Sequence, residues 1–405
     1  MLKRRAMFKL LMFLYIMICS LSTISYAVDL SLTDAINLAI KNSEEIQIKQ
    51  NETLKLEHQY YEAKGAIYPQ INSDIKWSHY FNSPKIETKF PMFVPQFDSQ
   101  GKLIGGKMTE IDASRKVKQD YELSAGITVT QIVWAFGKIS HAIELAKNAL
   151  EASLYAQKSS KKEVIFNTKI LYLSALMAKE SFKIAKESYE NAQKNKNLLN
   201  IRFANGRPSR GEILKMNADI ASRLPSLKQA ESDYISAVQS LRIILNIQHT
   251  DINLVDSFVR VFPEYILEDL RKTVLTNDPS VKALEETIKL NQHLVAIKKA
   301  SFYPTIAAFG TYQYGGDGDK PLVGKDKFQN LSVLGLSLQM PIFNGGTTYH
   351  QYQQSSIDKI NTELKLQQIK EMLELDLQKT FNEYKYLKEL YKANVNIVHL
   401  AEKSF

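Results

Sequence analysis

The chain has 405 residues, 44% of them hydrophobic and 23% charged, with 16 Gly, 11 Pro and a single Cys. These figures exclude a collagen-like chain, a disulfide-stapled mini-protein and a disordered chain of low hydrophobicity. The formal charge of +9 comes without the basic clusters interleaved with aromatics that mark a nucleic-acid partner. At about 150 residues per domain the length suggests two or three domains, a prior that fails for elongated repeat architectures.

The N-terminus reads as a secretory signal peptide over residues 1–27. Lys3, Arg4, Arg5 and Lys9 make a basic start, Leu10 to Ile18 is an uninterrupted apolar run, and Ser25-Tyr26-Ala27 offers the small residues a signal peptidase requires. The run is far below the ~18 residues that span a bilayer, which argues against an uncleaved anchor. Cys19 lies inside this segment after Ile18, where a lipoprotein signal needs a small residue. The mature chain then has no cysteine, hence neither disulfides nor thiolate chemistry, and its formal charge falls to +5. No later segment reaches a spanning apolar length, so membrane contact would have to be through β-strands or surface helices.

The chain repeats itself. Asn42 to Ile46 (NSEEI) aligns with Asn277 to Val281 (NDPSV), and Ala66-Ile67-Tyr68-Pro69 with Ser301-Phe302-Tyr303-Pro304, both at an offset of 235. Gly126 to Gly137 (GITVTQIVWAFG) aligns with Gly335 to Gly346 (GLSLQMPIFNGG) at an offset of 209. The difference falls between the matched blocks, where the first copy carries the extra segment Ser83 to Gln119. Two copies of one unit, differing in one loop, account for this.

In chain order, Leu32, Ala35, Ile36, Ala39 and Ile40 recur at helical spacing, and the pattern runs on toward Gly65 before Tyr68-Pro69 stops it. The period then becomes two: Ile71, Ser73, Ile75 and Trp77 alternate with Asn72, Asp74 and Lys76, predicting a strand over about 70–82. A second strand over about 120–133 sets Tyr121, Leu123, Ala125, Ile127 and Val129 against Asp120, Glu122, Ser124, Thr128 and Thr130. From Lys138 to Phe203 there is neither proline nor glycine, and Ala178, Phe182, Ala185, Tyr189, Ala192, Lys196, Leu199 and Phe203 follow a heptad seam broken only by Lys196. At 1.5 Å per residue such a helix is about 100 Å long. After a turn the chain returns on a second seam, Ile213, Met216, Ile220, Leu227, Ala230, Tyr234, Ala237, Leu241 and Ile244, interrupted by Arg223. The two form an antiparallel coiled-coil hairpin over 138–246, with Phe182, Tyr189 and Leu241 in its core. Pro225 should bend the return helix, at roughly 3 kcal/mol unless a kink relieves it. The second unit repeats the scheme with strands over about 305–314 and 330–341, the latter setting Leu334, Leu336, Leu338 and Met340 against Ser337 and Gln339, and a long helix over 346–405. One apolar and one polar face per strand fits a soluble sandwich or a barrel with a wet lumen.

Signal peptide, duplicated units of helix, strand pair and long helix, helices ending at Tyr-Pro, and the strand-ending motif Pro341-Ile342-Phe343-Asn344-Gly345-Gly346 together resemble the TolC-like outer-membrane efflux proteins, the outer membrane factor family. Ile132 to Gly137 is the weaker first-copy equivalent of that motif. The turn from Arg202 to Leu214, with Asn205, Gly206, Ser209 and Glu212, resembles the periplasmic tip of that family, Glu212 standing where Asp is usual.

The resemblance implies a mainly α fold with a small β part. Two repeats, over 28–248 and 249–405, would assemble as a homotrimer into an α-helical tunnel topped by a 12-stranded outer-membrane β-barrel. Four strands cannot close a barrel, whose smallest bacterial examples have eight. It also implies a passive exit duct of a tripartite efflux or type I secretion system, in the outer membrane of a Gram-negative bacterium and extending into the periplasm. Its partners would be a periplasmic adaptor (membrane fusion) protein, an inner-membrane transporter of RND, ABC or MFS type, and outer-membrane lipid, with no nucleic acid. Ser83 to Gln119 and Gly315 to Phe328 would be outward loops, and about 247–275 part of a belt around the tunnel together with the first residues of the mature chain. A different class of protein, a secreted or periplasmic structural coiled coil such as an adhesin stalk, is disfavoured by the duplicated amphipathic strands.

Individual residues have local explanations beside these roles. Gly206 caps a helix and Pro208-Ser209 opens the next, while the resemblance adds adaptor docking by Arg202, Asn205, Gly206, Ser209, Glu212 and Leu214. Arg202 also suits the C-terminal end of a helix dipole. Tyr68, Pro69, Tyr303 and Pro304 mark helix-to-strand junctions, where aromatic rings suit a membrane interface; Pro341, Phe343, Gly345 and Gly346 close the last strand.

Chemistry finds little to rest on. Gly101 to Lys107 matches the start of a phosphate-binding loop, but Met108 replaces the magnesium-ligating Ser or Thr. The histidines at 58, 79, 141, 249, 293, 350 and 399 show no pair at helical ligand spacing, and neither Gly-x-Ser-x-Gly nor His-Glu-x-x-His occurs. No catalysis, cofactor or metal is expected. At the 209 offset, Ala401 to Phe405 correspond to Ala192 to Lys196, so the counterpart of Asn197 to Gln248, with the second tip and its gating contacts, is expected to be missing.

Overall fold

A computed structural model of the chain describes residues 28–82, 85–117, 119–204, 210–247, 251–258 and 261–404. The signal-peptide expectation, and Asn205, Gly206 and Ser209, lie outside the described residues, as do the side chains around the turn from Arg202 to Arg210. The chain divides into two compact units.

One unit comprises residues up to 55, 151–284 and from 366 onward. Strand β1 (Val28–Leu30) pairs in parallel with β6 (Ile252–Leu254), joining the first described residues to the segment after the hairpin. Helix α1 (Leu32–Asn42) begins with a capping box, in which Ser31 and Asp34 satisfy each other's backbone N–H groups. The sequence pattern reads as one helix from Leu32 toward Gly65, but the structure breaks it at Ser43 (φ −64°, ψ 118°), and α2 (Glu44–Gly65) starts afresh. The second copy breaks at the equivalent residue: α5 (Leu267–Asn277) stops at Asp278, and α6 (Pro279–Ala300) follows. The reason is local. Ser43 Oγ accepts from Ile46 N–H, and Asp278 Oδ1 from Ser280 N–H, so a short polar side chain competes with the helix at each site, and Pro279 disfavours helix at Asp278.

The helical hairpin is made by α3 (Lys138–Ala204) and α4 (Arg210–Leu245). The seam residues Phe182, Ala185, Tyr189 and Ala192 are the less exposed positions of their stretch, and Phe182 stacks on Tyr234 with centroids 6.2 Å apart and planes at 6°. Arg223, which interrupts the return seam, reaches Asp219 at 3.0 Å and Ser188 at 2.6 Å. Helix α4 continues through Pro225; the lost N–H deprives the Ala221 carbonyl of its helical donor. The core gathers Leu30, Ala35, Ala39, Tyr172, Leu241, Leu245 and Leu254.

The other unit comprises 56–150 and 285–365. Its centre is a four-stranded antiparallel sheet in the order β2 (Gln70–His79), β5 (Tyr121–Trp134), β7 (Thr305–Gly318), β8 (Phe328–Gln339). Helix α7 (Thr347–Ser404) follows. The segment Ser83 to Gln119, expected as a loop, instead folds into a long hairpin of β3 (Lys85–Phe97) and β4 (Leu103–Lys116). Its turn is held by Asp98, whose carboxylate accepts from Gln100 and Lys102 N–H at 3.0 and 2.8 Å, with Gly101 at φ 82°. The runs on either side of this turn carry Pro91, Pro95 and the paired Gly105 and Gly106, which hide a strand from pattern reading. Strand β7 also runs beyond Tyr314 through Gly315 and Gly316, where β5 and the segment around Lys327 approach too closely for a Cβ to fit.

Candidate functional site

The register gives the four-stranded sheet two chemically different faces. Ile71 opposes Val129, and Gly310 and Leu334 continue that row; Ile75, Ala125, Tyr314 and Asn330 form another, with Trp77 and Leu123 beyond. This face is apolar and open to solvent in the single chain: Ile75 is 81% exposed, Leu336 75% and Leu334 89%. The opposite face carries Asp74, Lys76, Glu122, Ser124, Thr128 and Thr130 with Thr311, Gln313 and Asp317. There Thr128 and Thr311 hydroxyls lie 3.3 Å apart and the Tyr80 hydroxyl donates to Glu122 at 2.5 Å. Strands β2 and β8 are its edges, each paired on one side only among the described residues.

Aromatic rings gather at both ends. Near the β2–β5 end, His79 stacks on Tyr121 at 4.3 Å, with Trp77 6.0 Å from Tyr121 and Phe81 4.5 Å from His79. At the helix junctions Phe136 stacks on Tyr303 at 4.9 Å, and Trp134 lies 6.0 Å from Phe136. An exposed apolar band between aromatic ends is the surface that lipid covers.

The two junctions are built alike. Tyr68 N–H donates to the Gly65 carbonyl at 3.0 Å, and Tyr303 N–H to the Ala300 carbonyl at 3.1 Å; Pro69 and Pro304 then forbid further helix. At the other strand ends, Phe136 and Gly137 take φ 48° and 82°, and Gly345 and Gly346 φ 67° and 79°. Two successive left-handed residues turn each strand into its long helix. Pro341 precedes this turn, while Ile342 and Phe343 point outward, 93% and 87% exposed.

Of the proposed tip residues that are described, Arg202 lies in α3, with its backbone helical, and Glu212 and Leu214 lie in the first turns of α4, with Leu214 exposed. The structure therefore brings the sheet and junction residues into defined sites, whereas the tip lies largely outside the described residues.

Two clusters escaped sequence reasoning. The buried Tyr172 hydroxyl lies 2.8 Å from both the Leu30 carbonyl and Asp256 Oδ2, its one proton shared between the two acceptors, and Leu32 N–H donates to the same Asp256 oxygen at 2.6 Å. Burial, and then Asp256, push the Tyr172 phenol well above its usual pKa. A lone Tyr and a lone Asp, 84 residues apart, give no pattern to read. The second cluster is His141 with His293, whose Nδ1 atoms lie 3.0 Å apart; the repeat offsets relate each to another histidine but do not pair the two. In the segment expected to form part of the belt, the Pro263 carbonyl accepts from Tyr384 at 2.5 Å and Glu264 pairs with Lys388, which lowers the carboxyl pKa and raises that of the ammonium. Among the described residues no group of three or more His, Cys, Asp or Glu could hold a metal, and no helix is long and apolar enough to cross a membrane.

Comparison with known proteins adds three findings. A family profile described as outer membrane efflux protein matches residues 35–246. Solved structures resemble the chain closely in fold at low identity. CusC, studied for conformational changes accompanying folding and transmembrane channel formation, gives TM-score 0.66 at 16% identity over 94% of this chain and 83% of its own. The CmeC outer membrane channel of Campylobacter jejuni gives 0.64 at 17% over 90% and 76%, and the open MtrE outer membrane channel of Neisseria gonorrhoeae 0.62 at 16% over 92% and 76%. Among curated proteins none matches this chain.

Proposed function

Because the chain belongs to the outer membrane efflux protein family, whose members are export channels and not enzymes, we propose that three copies form one passive exit duct through the outer membrane of a Gram-negative bacterium. The observation that carries this reading is the sheet: an exposed apolar face, a polar face behind it and two edges unpaired among the described residues. Four strands cannot close on themselves, and an open edge is not tolerated in lipid. Joining β8 of one copy to β2 of the next closes twelve strands from three copies. The apolar face then meets lipid, and Asp74, Lys76, Glu122 and Gln313 line the water-filled lumen. The thirteen steps from Tyr121 to Trp134 run about 43 Å along the strand. At a tilt of about 40° this is about 33 Å along the barrel axis, enough to bracket an apolar band about 25 Å tall between two aromatic girdles.

In this reading the helical hairpin reaches into the periplasm. The turn with Arg202, Asn205, Gly206, Ser209, Glu212 and Leu214 receives an adaptor protein, and an inner-membrane transporter of RND, ABC or MFS type supplies the energy. An efflux duct and a type I secretion exit are the same duct with different partners. The residues over 28–248 and 249–405 act as its two repeats, the signal peptide being removed on export. A soluble coiled-coil stalk would leave the apolar sheet face in water, against the hydrophobic effect. Outer-membrane fractionation of the full-length protein, followed by native mass spectrometry in detergent, tests the reading. Sedimentation with the outer membrane at three times the chain mass supports it; a monomer released into the soluble periplasmic fraction overturns it.

A further inference from the structure

His141, early in α3, and His293, late in α6, face each other with their Nδ1 atoms 3.0 Å apart, ring centroids 5.3 Å apart and planes at 37°. Both are half-buried. The His141 N–H is fixed to the Gly137 carbonyl at 2.9 Å, so the left-handed turn at the strand end sets where this ring stands. Two imidazoles can hold this separation with one shared proton, or by turning both lone pairs on one cation. A metal about 2.0–2.1 Å from each nitrogen at a tetrahedral angle separates them by about 3.3 Å, so the pair needs to open by only a few tenths of an ångström.

The repeat supplies a second observation. The offsets of 209 and 235 carry His141 onto His350 and His293 onto His58. The equivalence holds in the backbone, since His350 N–H donates to the Gly346 carbonyl at 3.0 Å as His141 does to Gly137. It holds for the rings as well: a Cβ on Gly137 would stand 3.4 Å from His141 Cδ2, and one on Gly346 3.6 Å from His350 Cδ2. Four of the seven histidines of the chain thus form two repeat-related sets. His58 and His350, however, are exposed in the single chain. In a closed ring of alternating repeats, the face that α3 turns to α6 within a chain is the face that α7 turns to α2 of the next chain.

We infer that His141 and His293 form a two-histidine site for a borderline divalent transition-metal ion, Zn²⁺, Cu²⁺ or Ni²⁺, and that His350 with His58 of the partner subunit forms its counterpart between subunits. Imidazole suits these ions. With two protein ligands at each site, water completes the coordination and the ion exchanges, unlike a closed structural zinc site. The intrachain site stands on the single chain, whereas the intersubunit site rests on the trimer proposed above.

The test uses full-length, tag-free, metal-stripped protein in detergent, titrated with Zn²⁺ by calorimetry and with Cu²⁺ by electron paramagnetic resonance, with native mass spectrometry on the same sample. The inference expects two ions per chain in a trimer, falling to one in either His293→Gln or His58→Gln and to none in the double variant, with nitrogen hyperfine structure on bound Cu²⁺. A monomer that binds one ion, lost in His293→Gln, keeps the intrachain site while overturning the intersubunit site and the trimer. A trimer that takes up no ion, or whose uptake neither substitution changes, overturns the metal site and leaves the trimer standing.

Discussion

The Tyr172 hydroxyl donates to Asp256 across 2.8 Å, and through that carboxylate and the Leu30 carbonyl it ties the paired strands β1 and β6 to the long helix α3. Asp256 also receives the Leu32 N–H, so one carboxylate organises the start of α1 and the end of the β6 segment together. The tyrosine is fully buried, while Asp256 is only half-buried.

Tyr172→Phe keeps the ring and removes the donor. It should cost about 1–3 kcal/mol, the penalty for leaving buried acceptors unpaired. Hydrogen exchange should accelerate at 28–32 and 252–256 and remain unchanged in the sheet.

The same node sets an alkaline limit. The folded-state pKa of Tyr172 lies above the ordinary value of 10.0, so its contribution is complete below that pH and is lost as pH rises toward the folded value. Denaturant titrations should show wild-type stability falling above pH 10, and Tyr172→Phe, already weaker, should lose less over the same range.

Alternation along β8 makes a sharper prediction. Leu336→Arg places a charge on the face assigned to lipid and should cost about 2–4 kcal/mol, as at a bilayer midplane. Ser337→Arg, one residue on, faces the polar side and should assemble normally. Membrane insertion measured by protease protection and heat-modified gel mobility separates the two.

The strand-end turns depend on left-handed backbone. Gly346→Ala at φ 79° should cost about 1–2 kcal/mol and lower the melting temperature of the assembled protein. Phe136, the first-copy counterpart of Gly345, tolerates φ 48° while its ring stacks on Tyr303. Phe136→Gly should therefore come out near neutral, strain relief offsetting a lost aromatic pair of about 0.5–1.5 kcal/mol.

Much of this architecture was legible because it is periodic. Period two along Tyr121 to Val129 encodes which sheet face is apolar, and heptad spacing along Ala178 to Ala192 encodes which helix face packs; the backbone followed both. The aligned NSEEI and NDPSV segments were visible as a repeat, but their physical content, a helix break held by Ser43 and Asp278 side chains, depends on caps that periodicity does not register. The β3–β4 hairpin was hidden by its prolines and glycines. The Tyr172–Asp256 bond and the His141–His293 contact join residues distant in sequence, which only tertiary packing brings together.

Single-channel recording from the full-length protein in planar lipid bilayers tests the central claim most directly. A duct lined by Asp74, Lys76, Glu122 and Gln313 should give discrete, long-lived conductance steps, either spontaneously or after substitutions that loosen the helical hairpin near Arg223. Membrane-inserted trimers that never conduct, in wild type or in any such variant, would contradict it.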